Sequence, residues 1–323
     1  MKAIVRRLTI LSVWTFLASL VMLGASAIPT AQSRFSGIVV FGTSLSDPGN
    51  AFALSGDAAT PPDFTLNPLL VPSAPYAKGG HHFSNGATWI EQFARTVGLG
   101  DAVRPALATN DPAVTNYAVG AARAYNDSIN FNLARQVDAF LQRSGGAAPA
   151  HALYVIEMGG NDIRDAFQVY AAGGDGAPIL QAALESIANN IQRLYAAGAR
   201  EYVVWIPPDV ALTPAIRTLG PRAGALATTL TLTFNGGLAQ IVGQLSAALP
   251  GTSFARLDAY QLLNAIVADP AAFGFTTVAT ACVTPNLPPF TCKDAGEFLF
   301  WDGIHPTKDG HALLARAAAH MLQ

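Results

Sequence analysis

Continuous apolar runs, separated by segments with helical periodicity, constrain the fold of this chain more than any other feature. Each run is a predicted β-strand, and Gly, Pro or Asp follows within two residues of its end. Strands that lack an apolar–polar alternation are covered on both faces, as in a parallel sheet with helices on either side. Five strands are predicted in this way, at residues 37–41, 114–118, 152–158, 202–206 and 253–257.

Helical spacing of apolar residues predicts helices in most of the intervals between these strands. Strands that alternate with helices give a parallel sheet, and right-handed crossovers place the helices on both of its faces. The sequence therefore predicts an α/β fold, a three-layer α/β/α sandwich with a five-stranded parallel sheet. The predicted helices are residues 88–97, 133–142, 178–197, 222–249, 260–268 and 308–321.

Residues 51–87 differ from the rest of the chain because they are rich in Pro, Gly, Ala and Asn and show little periodicity. Long irregular segments in compact domains are often functional loops or lids. The apolar side chains of this segment either line an acyl pocket or pack the loop against the protein, and the sequence leaves both readings open. They are Phe52, Leu54, Phe64, Leu66, Leu69, Leu70 and Val71.

The first 27 residues have the layout of a secretory signal peptide. Three basic residues precede an apolar stretch at residues 8–23, and the small-residue cleavage site Ala25-Ser26-Ala27 follows it. An uncleaved anchor helix is the alternative, but the stretch is shorter than the ~20 residues that a membrane span needs. We therefore expect a signal peptide at 1–27, a single domain at 28–323, no stable membrane span, and a secreted or periplasmic location.

The charge balance argues against nucleic acid as a partner. Three of the 19 Lys and Arg residues lie in the leader, which has no acidic residue, so 16 basic residues face 21 acidic ones, a formal charge of −5. Binding to nucleic-acid phosphates requires a basic footprint, which this balance does not provide.

Two cysteines, Cys282 and Cys292, lie ten residues apart in a segment rich in Pro and Thr. In an exported protein the expected state is a disulfide, and two free thiols are the alternative. Two cysteines alone do not complete a tetrahedral zinc site, so no metal is expected here. The bridge is expected to brace the segment that follows it.

A serine comes shortly after the first predicted strand. In the sequence Phe-Gly-Thr-Ser-Leu-Ser-Asp-Pro-Gly-Asn at 41–50, Ser44 falls at the carboxyl end of a central strand, where open α/β sheets bind their ligands. A serine nucleophile needs a base, a carboxylate that orients the base, and donors for the oxyanion. The alternative is that Ser44 only caps a turn, although Ser46 and Asp47 suit that task better.

The candidates for base and carboxylate lie near the other end of the chain. Asp302 and His305 are three residues apart in Trp-Asp-Gly-Ile-His-Pro, and the proline disfavours helix at His305, so both side chains fit one tight turn. A pair with this spacing also arises by chance. The competing histidines, which we expect to be surface or structural residues, are His81, His82, His151 and His311.

Two more segments are expected at the same edge of the sheet. Asn161, in Gly-Gly-Asn-Asp, follows the strand at 152–158 and offers a neutral NH₂ donor of the kind that stabilises an oxyanion. Gly120 follows the strand at 114–118 and offers a backbone N–H. Each of these residues is equally at home in an ordinary turn.

Together, in this order along the chain, these segments resemble the GDSL family of the SGNH-hydrolase superfamily, and the resemblance covers nearly the whole mature chain. The segment Phe83-Ser84-Asn85-Gly86, with Trp89 and Glu91, also resembles the extracellular lipase/phospholipase-like branch of that family. The resemblance implies a flavodoxin-like fold. The matching blocks are residues 41–50, 116–121, 159–162 and 302–305.

The resemblance also implies a function, that of a secreted carboxylic-ester hydrolase acting on a small-molecule or lipid ester. It implies Ser44 as nucleophile, His305 as base and Asp302 as the residue that orients His305. It further implies an oxyanion hole made by the N–H groups of Ser44 and Gly120 and by the Asn161 side chain. No metal or organic cofactor is implied, and neither the particular ester nor the oligomeric state is specified.

One residue departs from the family pattern. The motif is Gly-Asp-Ser-Leu, and Thr43 stands here in place of the aspartate. That aspartate is not the carboxylate expected to orient His305, so its loss affects the positioning of the Ser44 turn more than the identity of the chemistry. A catalytically impaired binding protein with the same fold is the alternative that Thr43 motivates. The Gly-x-Ser-x-Gly elbow of the α/β-hydrolases is absent from the sequence.

Overall fold

The computed structural model describes residues 34–60, 70–283 and 292–322, so the predicted signal peptide lies outside the described residues. Its strands are β1 (Gly37–Gly42), β2 (Ala152–Glu157), β3 (Glu201–Ile206), β4 (Ser253–Asp258), β5 (Thr277–Ala281) and β6 (Phe298–Phe300). The first four form a parallel sheet in the order β1-β2-β3-β4, and β5 pairs with β6 in a separate parallel pair. The predicted α/β fold with a parallel sheet is confirmed.

The predicted strand at 114–118 is only partly realised. It runs beside β1, where the Val40 N–H donates to the Thr115 carbonyl (2.9 Å) and the Tyr117 N–H donates to the Val40 carbonyl (2.8 Å). The pairing amounts to a single parallel bridge between Val40 and Asn116. A side chain takes the next rung of this ladder, because the Gly42 N–H donates to Gln136 Oε1 (2.8 Å). The described sheet therefore has four strands, with this segment along its β1 edge.

The helices are α1 (Asn50–Ser55), α2 (Trp89–Thr96), α3 (Leu133–Arg143), α4 (Gly160–Ala171), α5 (Ala177–Ala197), α6 (Pro214–Arg217), α7 (Pro221–Ala248), α8 (Ala259–Ala268) and α9 (Lys308–Met321). All six predicted helices are present with ends that differ by at most one residue. The sequence missed α1, α4 and α6, as well as β5 and β6. None of the helices in the described part of the chain is both long enough and apolar enough to cross a membrane.

Two apolar cores lie on the two faces of the sheet, because successive strand residues point to opposite sides. Val39 and Phe41 of β1 belong to a core shared with α3, α4, α5 and α7. Ile38 and Val40 belong to a second core shared with α2 and α9. Full burial of each such side chain contributes about 1.5–3 kcal/mol. The resulting α/β/α layers bring the carboxyl ends of β1 and β2 to the same edge of the sheet.

Candidate active site

The end of β1 is clamped before the chain reaches Ser44. The Gln136 side chain accepts a hydrogen bond from the Gly42 N–H (2.8 Å) and donates one to the Gly42 carbonyl (2.9 Å). The chain then turns, with the Ser46 N–H donating to the Thr43 carbonyl (3.1 Å). Ser44 lies on this turn with 8 % of its surface exposed. The turn therefore presents one serine hydroxyl at a rigid strand end.

Ser44, His305 and Asp302 form a continuous row of hydrogen bonds. The Ser44 Oγ lies 2.9 Å from His305 Nε2, and His305 Nδ1 lies 2.7 Å from Asp302 Oδ2. Asp302 is fully buried, and its Oδ1 also accepts the N–H groups of Ile304 (3.0 Å) and His305 (2.8 Å). Asp302 and His305 thus share one tight turn. The row can move a proton from the serine hydroxyl to the imidazole while the carboxylate holds the ring.

Residues far away in the sequence hold this turn. The Tyr76 hydroxyl donates to Asp302 Oδ2 (2.9 Å), and the Ser84 hydroxyl donates to the Pro306 carbonyl (2.7 Å). Asn85 Oδ1 accepts the Lys308 N–H (2.7 Å). The Ser84-Asn85 segment therefore anchors the chain on the far side of His305. Tyr76 was missed by sequence reasoning, because a tyrosine in an irregular segment carries no local signal of its partner.

Asn161 lies at the start of α4. The helix begins directly after Gly159, whose φ of +113° favours glycine and whose added Cβ would lie 2.5 Å from the Phe234 ring. The Asn161 Nδ2 donates one hydrogen bond to the Ala122 carbonyl (2.7 Å), which leaves its second hydrogen for another acceptor. The glycine pair, for which an ordinary turn was the alternative in the sequence, is therefore the entry to a helix that carries Asn161 to the cleft.

Gly120 lines the cleft but its N–H is engaged. The N–H donates to Asp47 Oδ2 (2.8 Å), and Asp47 also accepts the N–H groups of Gly49 (2.8 Å) and Asn50 (2.6 Å). Complete burial raises the pKa of Asp47 to about 6, against the opposing effect of these donors. A Cβ at Gly120 would lie 2.1 Å from the Phe83 ring. Close packing by itself thus accounts for glycine at this position.

Two cavities reach Ser44, and a third adjoins one of them. A cleft of about 1040 Å³ is lined by Ser44, Gly120, Asn161 and His305. A second cavity of about 80 Å³ also reaches Ser44, and a third of about 50 Å³ lies beyond it. The second has mostly apolar walls that include Phe167, Trp205, Pro208, Val210 and Ile216. The residues that line both the second and the third are Leu45, Trp205, Pro208, Thr213 and Ile304.

The irregular segment at 51–87 contributes to the cleft in part. Leu54 and Val71 line it, whereas Phe52 stacks on the His81 ring with a centroid distance of 3.6 Å. The packing reading is therefore realised at Phe52, whereas Leu54 and Val71 lie in the large cleft and none of the described apolar side chains of this segment lines the smaller apolar cavity. Phe64, Leu66 and Leu69 lie outside the described residues.

The competing histidines lie apart from the Ser44 row. His82 Nε2 lies 2.9 Å from Glu91 Oε2, and the carboxylate raises the pKa of His82 against the effect of burial. His311 is buried, which lowers its pKa to about 3, and its Nδ1 accepts the Trp89 N–H (3.2 Å). His151 is exposed just before β2. No three His, Cys, Asp or Glu side chains in the described ranges are grouped as metal ligands would be.

The sequence from residue 38 to residue 318 matches the model of the GDSL-like lipase/acylhydrolase family. The chain belongs to this family. A GDSL esterase/lipase of Arabidopsis thaliana is 28 % identical over 178 residues, which are 54 % of this chain and 52 % of that protein. Another is 26 % identical over 332 residues, covering 90 % of this chain and 83 % of its own length.

Esterase EstA of Pseudomonas aeruginosa is 31 % identical over 342 residues, covering 90 % of this chain and 47 % of EstA. In several of these alignments, including the first, the chain spans about half the length of the curated relative it matches.

The residue that departs from the GDSL motif has a buried acidic partner. The Thr43 N–H donates to Glu157 Oε2 (2.8 Å), and the Thr43 hydroxyl lies 3.0 Å from Oε1 and 3.1 Å from Oε2. Glu157 is the last residue of β2 and is 1 % exposed. Burial raises its pKa to about 7. Sequence reasoning missed Glu157, which reads as one polar residue inside an apolar run.

The disulfide expected from the sequence is present between Cys282 and Cys292, whose Cα atoms are 5.3 Å apart. The Cys282 N–H donates to the Phe300 carbonyl (3.0 Å), and the Val283 N–H donates to the Trp301 carbonyl (2.8 Å). These bonds continue the β5–β6 pairing to the residue before Asp302. In this GDSL family member the bridge therefore adjoins the segment that carries the carboxylate.

Proposed function

We propose that this chain is a secreted serine ester hydrolase of the lipase/esterase type that cleaves carboxylic esters through an acyl-enzyme on Ser44. Membership in the GDSL-like family supports ester hydrolysis. The observation that carries the proposal is the hydrogen-bonded row from Ser44 through His305 to buried Asp302. The signal-peptide layout at 1–27 and the disulfide are consistent with export.

The first half of the reaction forms the acyl-enzyme. Ser44 Oγ attacks the ester carbonyl carbon while its proton passes to His305 Nε2, and Asp302 stabilises the imidazolium that results. When the tetrahedral intermediate collapses, His305 returns the proton to the leaving alcohol. In the second half a water molecule repeats the attack on the acyl-enzyme, with His305 as base, and releases the acid.

The oxyanion of each intermediate needs donors near Ser44. Two donors are proposed to bind the oxyanion without rearrangement. They are the Ser44 N–H and the second hydrogen of Asn161 Nδ2. The Gly120 N–H is proposed as the third, and it has to be shared with or released by Asp47 when the oxyanion forms. Removing one such donor from a serine hydrolase costs about 10²–10³ in kcat.

The two cavities that reach Ser44 suit different parts of an ester substrate. The apolar cavity of about 80 Å³ suits the acyl chain, because it reaches Ser44 and the surface that it exposes is mostly apolar. The larger cleft is polar as well as open, and it suits the alcohol part of the ester. Small-molecule or lipid esters with a short to medium acyl chain are therefore the proposed substrates.

Ser44→Ala tests the assignment directly. It is expected to lower kcat for p-nitrophenyl butyrate by roughly 10⁴-fold or more, and to abolish labelling by an organophosphonate. Wild-type activity in a folded Ser44→Ala protein would overturn the proposal. A folded wild-type protein that hydrolyses no ester of any acyl-chain length would instead favour the binding-protein alternative. That alternative was motivated by Thr43, which in the structure forms hydrogen bonds with Glu157.

A further inference from the structure

We propose that Glu157 is a positioning residue that supplies, from the end of β2, the carboxylate that the GDSL motif places at the position of Thr43. The inference rests on the proposed role of Ser44. It concerns a residue outside the four sequence blocks that resemble the family, on a different strand from the nucleophile.

Strand register brings the two positions together. Gly42 and Glu157 are directly paired in the parallel β1–β2 ladder, so Thr43 lies one residue beyond the pair. A Cβ on Gly42 would lie 2.9 Å from Glu157 Oε2, which shows how closely the carboxylate approaches the β1 backbone. A short acidic side chain at 43 or a longer one at 157 therefore reaches the same buried space.

The contacts of Glu157 are those of a group that sets a turn. Its carboxylate accepts the Thr43 N–H and hydroxyl, on the residue directly before Ser44. The Ser46 hydroxyl lies near enough to lower the pKa of Glu157, and the oxygen of that hydroxyl accepts the Trp89 indole N–H (3.0 Å). Glu157 thus binds the residue directly before Ser44 and lies close to Ser46 on its other side. Charged acceptors make stronger hydrogen bonds than neutral ones, so one carboxylate fixes this turn effectively.

The buried space between positions 43 and 157 tolerates one ionised carboxylate but not two. Among the residues that the structure describes, no cation forms a hydrogen bond with Glu157, and the nearby buried carboxyl of Asp162 already disfavours its ionisation. A second carboxylate at 43 would sit within hydrogen-bond distance of the first, and like charges that close do not both ionise. Restoring the motif aspartate in this chain is therefore expected to damage the site, unless Glu157 is removed at the same time.

The test exchanges the two residues and measures kcat and KM at pH 8 on p-nitrophenyl acetate, whose short acyl group depends least on the acyl cavity that both residues line. Thr43→Asp and Glu157→Thr are each expected to lower kcat roughly tenfold or more with little change in KM, since they misplace the nucleophile and not the substrate. The double variant, Thr43→Asp with Glu157→Thr, is expected to recover to within about threefold of wild type. At pH 6 the Thr43→Asp variant should lose less relative to wild type, because the proton that the close carboxyl pair has to share binds more readily at lower pH.

The matched control is Thr43→Asn with Glu157→Thr, which has the shape of the rescued site without its charge. Its kcat should stay at the level of the Glu157→Thr variant. Equal rescue by asparagine, a double variant no better than the two single ones, or a Thr43→Asp variant more active than wild type would each overturn the inference.

Thermal unfolding of the same variants keeps the test independent of the proposed function. Where a single variant does not fold, Glu157→Gln replaces it, because the amide keeps the shape and one acceptor. A stability cycle that shows no coupling between positions 43 and 157 contradicts the inference even if the chain has no esterase activity. Loss of the Ser44 role is recognised separately, by activity in Ser44→Ala.

Discussion

At the scale of single residues, the site contains positions whose neighbours leave no room for a larger side chain. Gly120 is the clearest case, because Phe83 occupies the space that a Cβ would need and the Phe83 ring lies 5.4 Å from the His305 ring. A glycine that matches an oxyanion position in the family pattern is thus also required for packing. The two roles are separable, because alanine keeps the backbone N–H.

Gly120→Ala is expected to push Phe83 against His305 and to lower kcat about 10²-fold, as small misplacements of catalytic groups do. Adding Phe83→Ala should restore much of the activity, which kinetics on p-nitrophenyl butyrate would measure. Gly236→Ala is the control, because that glycine lies within α7 with open space around it, and it should leave kcat unchanged. Failure of Phe83→Ala to rescue would mean that Gly120 acts through its backbone instead.

At the scale of elements, continuous apolar runs were enough to predict the four strands of the described sheet and helical periodicity to predict six helices, while what they missed depends on tertiary contacts. The helix α4 begins at the Gly-Gly pair, because Phe234 packs where a side chain on Gly159 would be, and no local pattern reveals that. The sequence placed Ser44 and Asn161 at strand ends, and it offered His305 through its spacing from Asp302 and the family resemblance. Tyr76 and Glu157 were not, because their partners lie 226 and 114 residues away.

The elements around β3 are expected to set the acyl-chain length. Ile216 of α6 lines the cavity next to Ser44, and Leu263 of α8 lines only the cavity beyond it. Ile216→Phe should lower kcat/KM for p-nitrophenyl butyrate roughly tenfold more than it lowers kcat/KM for p-nitrophenyl acetate. The reason is that each lost methylene contact is worth about 1–3 kcal/mol. Leu263→Phe, the matched control, should spare the butyrate and lower only longer esters. Equal losses on all chain lengths in both variants would argue against an acyl pocket here.

At the scale of the whole molecule, three buried carboxyls govern how stability depends on pH. Burial raises the pKa of Asp47 and Asp162 to about 6 and that of Glu157 to about 7. A group whose pKa is higher in the folded state stabilises the fold fully below its unfolded pKa, and this stabilisation is lost as pH rises through the folded value. His311, with its pKa lowered to about 3, acts in the opposite sense below pH 6.5.

The destabilising effect of ionising the three carboxyls is larger than the opposite effect of His311. The free energy of unfolding is therefore expected to fall between pH 5 and pH 7. Chemical denaturation at several pH values would measure it, with Glu157→Gln as the comparison. The variant should lose less stability than wild type over this range, because one of the three titrating carboxyls is gone. A free energy of unfolding that rises towards pH 7 in both proteins would contradict the raised pKa values of these carboxyls.

The reactive row joins residues 261 positions apart, and this distance has a consequence for how the molecule comes into being. Contacts between remote parts of a chain form late, since the intervening loop has to close first. In addition, α2 from the first third of the chain packs against α9 at the far end. A growing polypeptide accordingly carries Ser44 before His305 has been added. Under the proposed chemistry, it is therefore inactive as a hydrolase until the last part of the chain has folded.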